Sequence, residues 1–323
     1  MKIRDLDFPL GLSLAPMAGY TDRAMRLLCY EMGAEYSVSE MVSATAVTFG
    51  DQKTASLARI EKDEGPVGLQ IFGSSPEVMG EAAKIITEEY SHTSPAFIDI
   101  NMGCPVNKIF SNGEGSALMK DPKKIEKIVS SVRKAVELPV TVKIRTGIDE
   151  NHINAVDCAL AAEAGGADAI CIHGRTRKQM YGGSVDRKII ANVKKSLQIP
   201  LVANGDINTP ADALSMLEDT GADGIAIGRG AVGNPFIFEE IKAALTKKDY
   251  SPKSLEERID TALRQLRLAI EDKGERVAVC EARKQIALYL KGFRGASTVR
   301  GSINAALSYA EVERIFLSLK KSD

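Results

Sequence analysis

The chain has 323 residues, 44% of them hydrophobic and 26% charged, with a formal net charge of −1, which fits a soluble globular protein built as one large barrel or two domains. No run of about eighteen apolar residues occurs, so no transmembrane helix is expected, and the charged start Met1-Lys2-Ile3-Arg4-Asp5-Leu6-Asp7 is no signal peptide. The five cysteines (Cys29, Cys104, Cys158, Cys171, Cys280) are scattered and never spaced Cys-x-x-Cys, which predicts a reducing cytoplasm and speaks against zinc or iron–sulfur sites.

From about residue 10 to residue 245, short β-type runs alternate with amphipathic helical stretches. The predicted strands are 12–15, 36–39, 66–72, 96–101, 139–144, 168–173, 200–203 and 223–227, and the last six start 23 to 43 residues apart, the size of one strand-plus-helix unit. Ser75-Pro76, Asp121-Pro122 and Thr209-Pro210 each set a capping side chain before a proline at the first helical position. After Asp121, the residues Ile125, Ile128, Val129, Val132 and Val136 share one helical face. The segment 166–172 echoes 221–227, and Leu138-Pro139-Val140 echoes Ile199-Pro200-Leu201. Repeated strand units favour a closed (β/α)8 TIM barrel over the alternative, an open doubly wound sheet.

The composition changes at 246–253, where Lys247-Lys248-Asp249-Tyr250-Ser251-Pro252 reads as a linker. The predicted division is a barrel over 1–245 and a small all-helical domain over 246–323. In the second part Leu255, Ile259, Ala262, Leu263, Leu266, Ala269 and Ile270 form a stripe that Gly274 ends. A second helix is expected from about Arg276 to Leu290, and a last one around Val312, Ile315, Phe316 and Leu319. This tail carries 16 basic against 11 acidic residues, a charge of +5, while the first 245 residues carry −6. An acidic body with a basic tail points to a polyanionic partner, and ordinary variation between domains is the bland alternative.

Barrel enzymes build their sites at the carboxyl ends of the strands. Those ends here hold Ala15-Pro16-Met17, Glu40, Gln70, Asn101 with Cys104, Lys143 with Arg145, His173 with Arg175, Asn204-Gly205-Asp206 and Gly228-Arg229. Polar groups close nearly every strand on one rim, which argues for an enzyme. Cys104 lies between Gly103 and Pro105, on a turn that displays its thiol, whereas Cys29, Cys158, Cys171 and Cys280 are expected to be small core residues. The glycine turns after the last two strands, with Arg229 beside them, suit a phosphate-bearing cofactor. Lys143 is either a near-buried cation awaiting an anion or a lysine snorkelling from a strand end. His173 is either a donor to a bound ring or a satisfied core histidine. From Arg283 to Arg300 there are five basic residues, including Lys291, Arg294 and Arg300, and no acid, with Tyr289 and Phe293 interleaved. Such a stretch either tracks phosphates and stacks a base or is a solvated helix face. Arg175, Arg177 and Lys178 would extend the basic surface over the barrel mouth.

In order along the chain, Leu14-Ala15-Pro16-Met17-Ala18-Gly19-Tyr20-Thr21-Asp22, Asp99-Ile100-Asn101-Met102-Gly103-Cys104-Pro105, Val142-Lys143-Ile144-Arg145, His173-Gly174-Arg175-Thr176-Arg177, Asn204-Gly205-Asp206 and Gly228-Arg229-Gly230 resemble the tRNA-dihydrouridine synthase family, the first of them most like its bacterial B-type subgroup. The resemblance implies an FMN enzyme that reduces tRNA uridines to dihydrouridine with NADPH; the expected cytoplasmic location and lack of a metal rest on the cysteines. It implies that Pro16, Met17 and Ala18 lie along the flavin, that Gln70 meets its pyrimidine edge and that Lys143 sits by N1–O2. Asn204, Gly205, Asp206, Gly228 and Arg229 would hold the phosphate, and Cys104 would donate the proton. Asn101 and His173 would shape the space between flavin and uracil, with Arg145, Arg175, Arg177, Lys291, Arg294 and Arg300 toward the RNA. The alternatives are an FMN barrel reducing a free pyrimidine, as dihydroorotate dehydrogenases do, and an RNA-binding barrel without catalysis.

Overall fold

The computed structural model describes residues 1–90, 93–293 and 296–320. Each of the eight predicted strands forms, its ends within one residue of expectation: β1 Leu12–Leu14, β2 Tyr36–Val38, β3 Val67–Phe72, β4 Phe97–Asn101, β5 Val140–Arg145, β6 Ala169–His173, β7 Leu201–Asn204 and β8 Gly224–Ile227. They pair in parallel in sequence order, and β8 returns to β1, so the ring is closed. The open-sheet alternative is thereby excluded. A parallel strand must be joined to the next by a crossover, and the intervening helices supply it. The long helices are α1 Arg23–Glu31, α2 Pro76–Glu88, α3 Pro122–Ala135, α4 Ala155–Ala164, α5 Arg187–Ser196, α6 Pro210–Thr220, α7 Ile237–Thr246, α8 Leu255–Lys273, α9 Glu275–Ile286, α10 Ala296–Ala305 and α11 Tyr309–Lys320.

Strand periodicity sorts the side chains into two sets. Ile98, Ile100, Val140, Val142, Ile144, Ile170, Ile172, Ile225 and Ile227 face outward and are fully buried in one aliphatic core against the helices. The alternate positions face the barrel axis. There the register aligns Gln70 with Asp99 and Thr141, Asn101 with Lys143, and Arg145 with His173 and Asn204. The amino-terminal end of the axis is plugged by an apolar group of Ile3, Phe8, Tyr36, Val38 and Phe97. Ile3 comes from a short antiparallel hairpin, Lys2–Ile3 with Leu6–Asp7, which two-residue strands leave unmarked in the sequence. The carboxyl end is left polar and open.

All three predicted helix caps are present. Asp121 accepts from Lys124 N and Ser75 from Val78 N, while Thr209 forms a reciprocal box with Asp212. The α3 stripe of Ile125, Ile128, Val129 and Val132 is fully buried.

The tail is helical and packs on the barrel through α1 and α8. Lys273 bridges Asp22, at 2.6 Å, and Glu281, at 2.7 Å, and Arg264 pairs with Glu31. Beneath these pairs Gln265 donates to Gln285 at 3.1 Å and accepts from the Tyr289 hydroxyl at 2.7 Å. The predicted second tail helix is α9 followed by a 3₁₀ turn, Ala287–Leu290. Helix α10 is an addition: among its described side chains Val299 and Ile303 are the buried ones, too sparse a stripe to read. Two expectations need correction. Tyr289 is fully buried against Phe236 and cannot stack a base, because its ring belongs to the tail core. Cys280 is exposed, since it lies on the side of α9 turned from that core. No helix among the described residues is long and apolar enough to cross a membrane.

Candidate active site

The carboxyl rim encloses one cavity of about 580 Å³, within the range that takes a cofactor and part of a substrate. Pro16, Met17, Ala18, Gln70, Asn101, Cys104, Lys143, Arg145, His173, Asn204, Gly205, Asp206, Gly228 and Arg229 all line it. Cys104 follows β4 and Gly228 follows β8, so in an eight-strand ring they stand across the mouth from one another.

Cys104 is half-buried, and its backbone is clamped on both sides. Its N–H donates to Asn101 Oδ1 at 2.9 Å, and its carbonyl accepts from Ser116 Oγ at 2.7 Å. Burial pushes the thiol pKa up, opposed by the Val106 N–H and by the Arg145 charge. The group is therefore a protonated thiol at neutral pH, suited to giving a proton and poorly suited to nucleophilic attack. Arg145 is held by carbonyls: Nε donates to Gly103 O at 2.8 Å, and Nη1 to Thr176 O and Met180 O at 2.9 Å. Burial lowers its pKa to about 10, so it stays charged.

Lys143 Nζ donates to Asn204 Oδ1 at 3.1 Å, and Asn204 Nδ2 in turn donates to Ala226 O at 2.7 Å. His173 is buried, and its pKa is pushed down to about 2, chiefly by burial and then by Lys143, Arg145, Arg175 and Arg229. It is a neutral imidazole, and its Nδ1 has no partner among the described residues. An orphaned ring nitrogen at a cavity wall invites a ligand atom. Gly205 takes φ +118°, and a Cβ there would come within 3.0 Å of the His173 ring, so only glycine lets the turn pass. At Gly228 a Cβ would project toward Met17, 3.4 Å from its sulfur, so the missing side chain widens the cavity. The Asp206 carboxylate is spent on Arg175, at 2.8 Å, on Val185 N, at 3.1 Å, and on Arg229, at 3.6 Å. Its loop, not its charge, is what it offers to an anion.

Gln70 reaches the cavity with both ends of its amide already engaged, Nε2 to Asp99 and Oε1 to Asn101. Each end keeps one further hydrogen-bonding site. Arg175 requires a correction. It is 2% exposed, its guanidinium tied to Gly182 O, Gly183 O and Asp206, so it anchors the 174–185 loop instead of extending the basic surface. Arg177 lies over the Phe110 ring at 3.9 Å. Lys291 and Arg300 are exposed, away from the cavity lining, and Arg294 lies outside the described residues.

Other cavity residues escaped the sequence reading. Tyr181, 54% exposed, stands at the mouth with Arg229 5.0 Å and Arg145 5.9 Å from its ring. An aromatic beside Gly182-Gly183 in a loop after a strand end was the available signal. Leu288 lines the cavity from the tail, and Lys284 of α9 lies 4.6 Å over the Tyr20 ring at the same rim. Lys284 belongs to the basic run that starts at Arg283 and Leu288 carried no signal, but the place of each at the mouth exists only once the tail has docked. Glu40 accepts from Gly19 N and so holds the turn after β1.

Comparison with known proteins identifies the family. A family model described as dihydrouridine synthase matches residues 13–321. A probable tRNA-dihydrouridine synthase of Treponema pallidum is 40% identical over 304 residues, covering 91% of this chain and 88% of its own length. A protein of Rickettsia conorii with the same name is 39% identical over 306 residues, 94% of this chain and 91% of its own. The tRNA-dihydrouridine synthase B of Xanthomonas axonopodis is 40% identical over 307 residues, 95% of this chain and 91% of its own.

Proposed function

Because the chain belongs to the dihydrouridine synthase family, we propose that it reduces the 5,6-double bond of uridines in tRNA, with FMN in the barrel mouth, NADPH as reductant and Cys104 as proton donor. The observation that carries this is the meeting of Cys104, Lys143, His173 and Gly228 around one cavity. FMN fits the residues present: an orphaned His173 Nδ1, a glycine-floored wall at Gly205 and Gly228, and the cations Lys143 and Arg229 suit a flat, anion-forming ring with a phosphate tail.

When bound, FMN supplies the electron pair delivered by NADPH. The chain's own part is to bind, orient and protonate. Pro16, Met17 and Ala18 give an apolar wall for the ring, Gln70 its remaining hydrogen-bonding sites, and Lys143 a positive charge for the pyrimidine side. The turns at Asn204–Asp206 and Gly228–Arg229 take the phosphate. Cys104 holds its proton on Sγ, kept there by burial, for carbon 5 of the uracil. A base stacked within an RNA cannot enter such a cavity, so the uridine is flipped out. The basic 246–323 part, with Lys284 and Leu288 already at the rim, grips the RNA outside.

The test is to supply NADPH and unmodified transcript tRNA to the purified protein. Flavin absorbance in the protein and dihydrouridine in the RNA are expected. A colourless protein, or one that reduces free uracil or orotate and leaves tRNA unchanged, would overturn this reading.

A further inference from the structure

A continuous line of buried polar side chains runs from β5 to the Cys104 loop. Thr141 donates to Asp99 Oδ1 at 2.5 Å, and Gln70 Nε2 donates to Asp99 Oδ2 at 2.6 Å. Asn101 Nδ2 donates to Gln70 Oε1 at 2.8 Å. Asn101 Oδ1 then accepts from Gly103 N at 3.2 Å and Cys104 N at 2.9 Å. Asp99 is 2% exposed, Gln70 1%, Thr141 5% and Asn101 7%.

A primary amide has a donor end and an acceptor end of nearly the same shape, and only its neighbours decide which way it lies. A carboxylate only accepts. Burial raises the Asp99 pKa, opposed by the Gln70 and Thr141 hydrogen bonds and the Lys143 charge; in its ionised form Asp99 draws the NH₂ end of Gln70, which turns Oε1 toward Asn101. That oxygen draws the Asn101 NH₂, and the Asn101 oxygen is left facing the loop. Reversed, the chain would set the Asn101 NH₂ against two backbone N–H groups, and these would lose their acceptor. We propose that Asp99 is a positioning residue for Cys104: its carboxylate sets the sense of the Gln70 and Asn101 amides, and through them the hydrogen bond that holds the thiol-bearing turn.

The experiment follows alkylation of Cys104 by iodoacetamide in the full-length protein, read by peptide mass spectrometry beside the melting midpoint. Asp99→Asn keeps the side-chain volume but lets residue 99 face Gln70 either way round. Cys104 in this variant is expected to alkylate about fivefold faster, the order of one weakened hydrogen bond, with buried Cys29 and Cys158 still unreactive. Thr141→Val keeps the carboxylate and so the sense of both amides, and is expected to alkylate at the wild-type rate. A wild-type rate in Asp99→Asn overturns the proposal. So does an equal rise in Thr141→Val, or a rise shared by Cys29 and Cys158, since either would mean general loosening. That the turn matters to turnover rests on the proton-donor role proposed above, and the alkylation readout does not. An Asp99→Asn protein that alkylates faster yet keeps its kcat on tRNA would uphold the relay and show that the hold on the turn does not limit turnover.

Discussion

Cys104 is raised in pKa by burial, while the Val106 N–H and the Arg145 charge work in the opposite direction. Proton donation needs the thiol, so the sign can be read directly: the protonated form persists at neutral pH and is lost only on the alkaline side. The kcat for dihydrouridine formation is expected to stay level through neutral pH and to fall only at pH values above the ordinary thiol range, because burial moves the limb in the alkaline direction. Replacing Cys104 by Ala is expected to leave bound flavin unchanged and to lower kcat by about 10² or more, the usual worth of a general acid. Single-turnover rates across pH check both. Wild-type turnover in the Ala variant would exclude the thiol from the reaction. His173 adds no limb of its own near neutrality, because it is already uncharged there.

At the scale of elements, the strands alternate and the two alternating sets do different work. The outward aliphatic residues of β4, β5 and β6 bind the barrel to its helices, and the inward residues carry Asp99, Asn101, Thr141, Lys143 and His173 toward the mouth. The helices that close the wall depend on their ends. Asp121 caps α3, whose apolar side is fully buried, with Lys124 N as its donor. Asp121→Ala is expected to cost about 1 kcal/mol, seen as a lower urea midpoint with unchanged turnover. An unaltered midpoint would show that packing alone sustains this helix. Strand ends, caps and the α3 stripe were legible in the sequence because each is a local signal. Helix α10 was not, because Val299 and Ile303, the buried residues among its described side chains, do not make a period.

Across the whole molecule, the tail is joined to the barrel by charged pairs at Lys273 and Arg264 and by a buried core around Tyr289. That docking brings Leu288 into the cavity lining and Lys284 to its rim, so both parts of the chain shape the mouth. Lys291 and Arg300 stay exposed on the tail. Reversing both charges in a Lys291→Glu, Arg300→Glu protein is expected to raise the KM for tRNA several-fold and to flatten its salt dependence, with kcat little changed. A KM equal to wild type at low salt would place the RNA elsewhere.

By itself the sequence determined the eight strands, their order, the helix starts and the row of polar residues at the strand ends, because these follow from short-range periodicity and capping chemistry. The tertiary structure decided which of those residues share a wall. Arg175 reads as one more basic side chain beside His173, and only folding turns it into a buried anchor for Asp206. Gln70, Asp99 and Asn101 read as separate polar positions, and only parallel register joins them into a line of hydrogen bonds. Burial, amide orientation and the approach of Leu288 depend on contacts between residues far apart in the chain, and no local pattern encodes those.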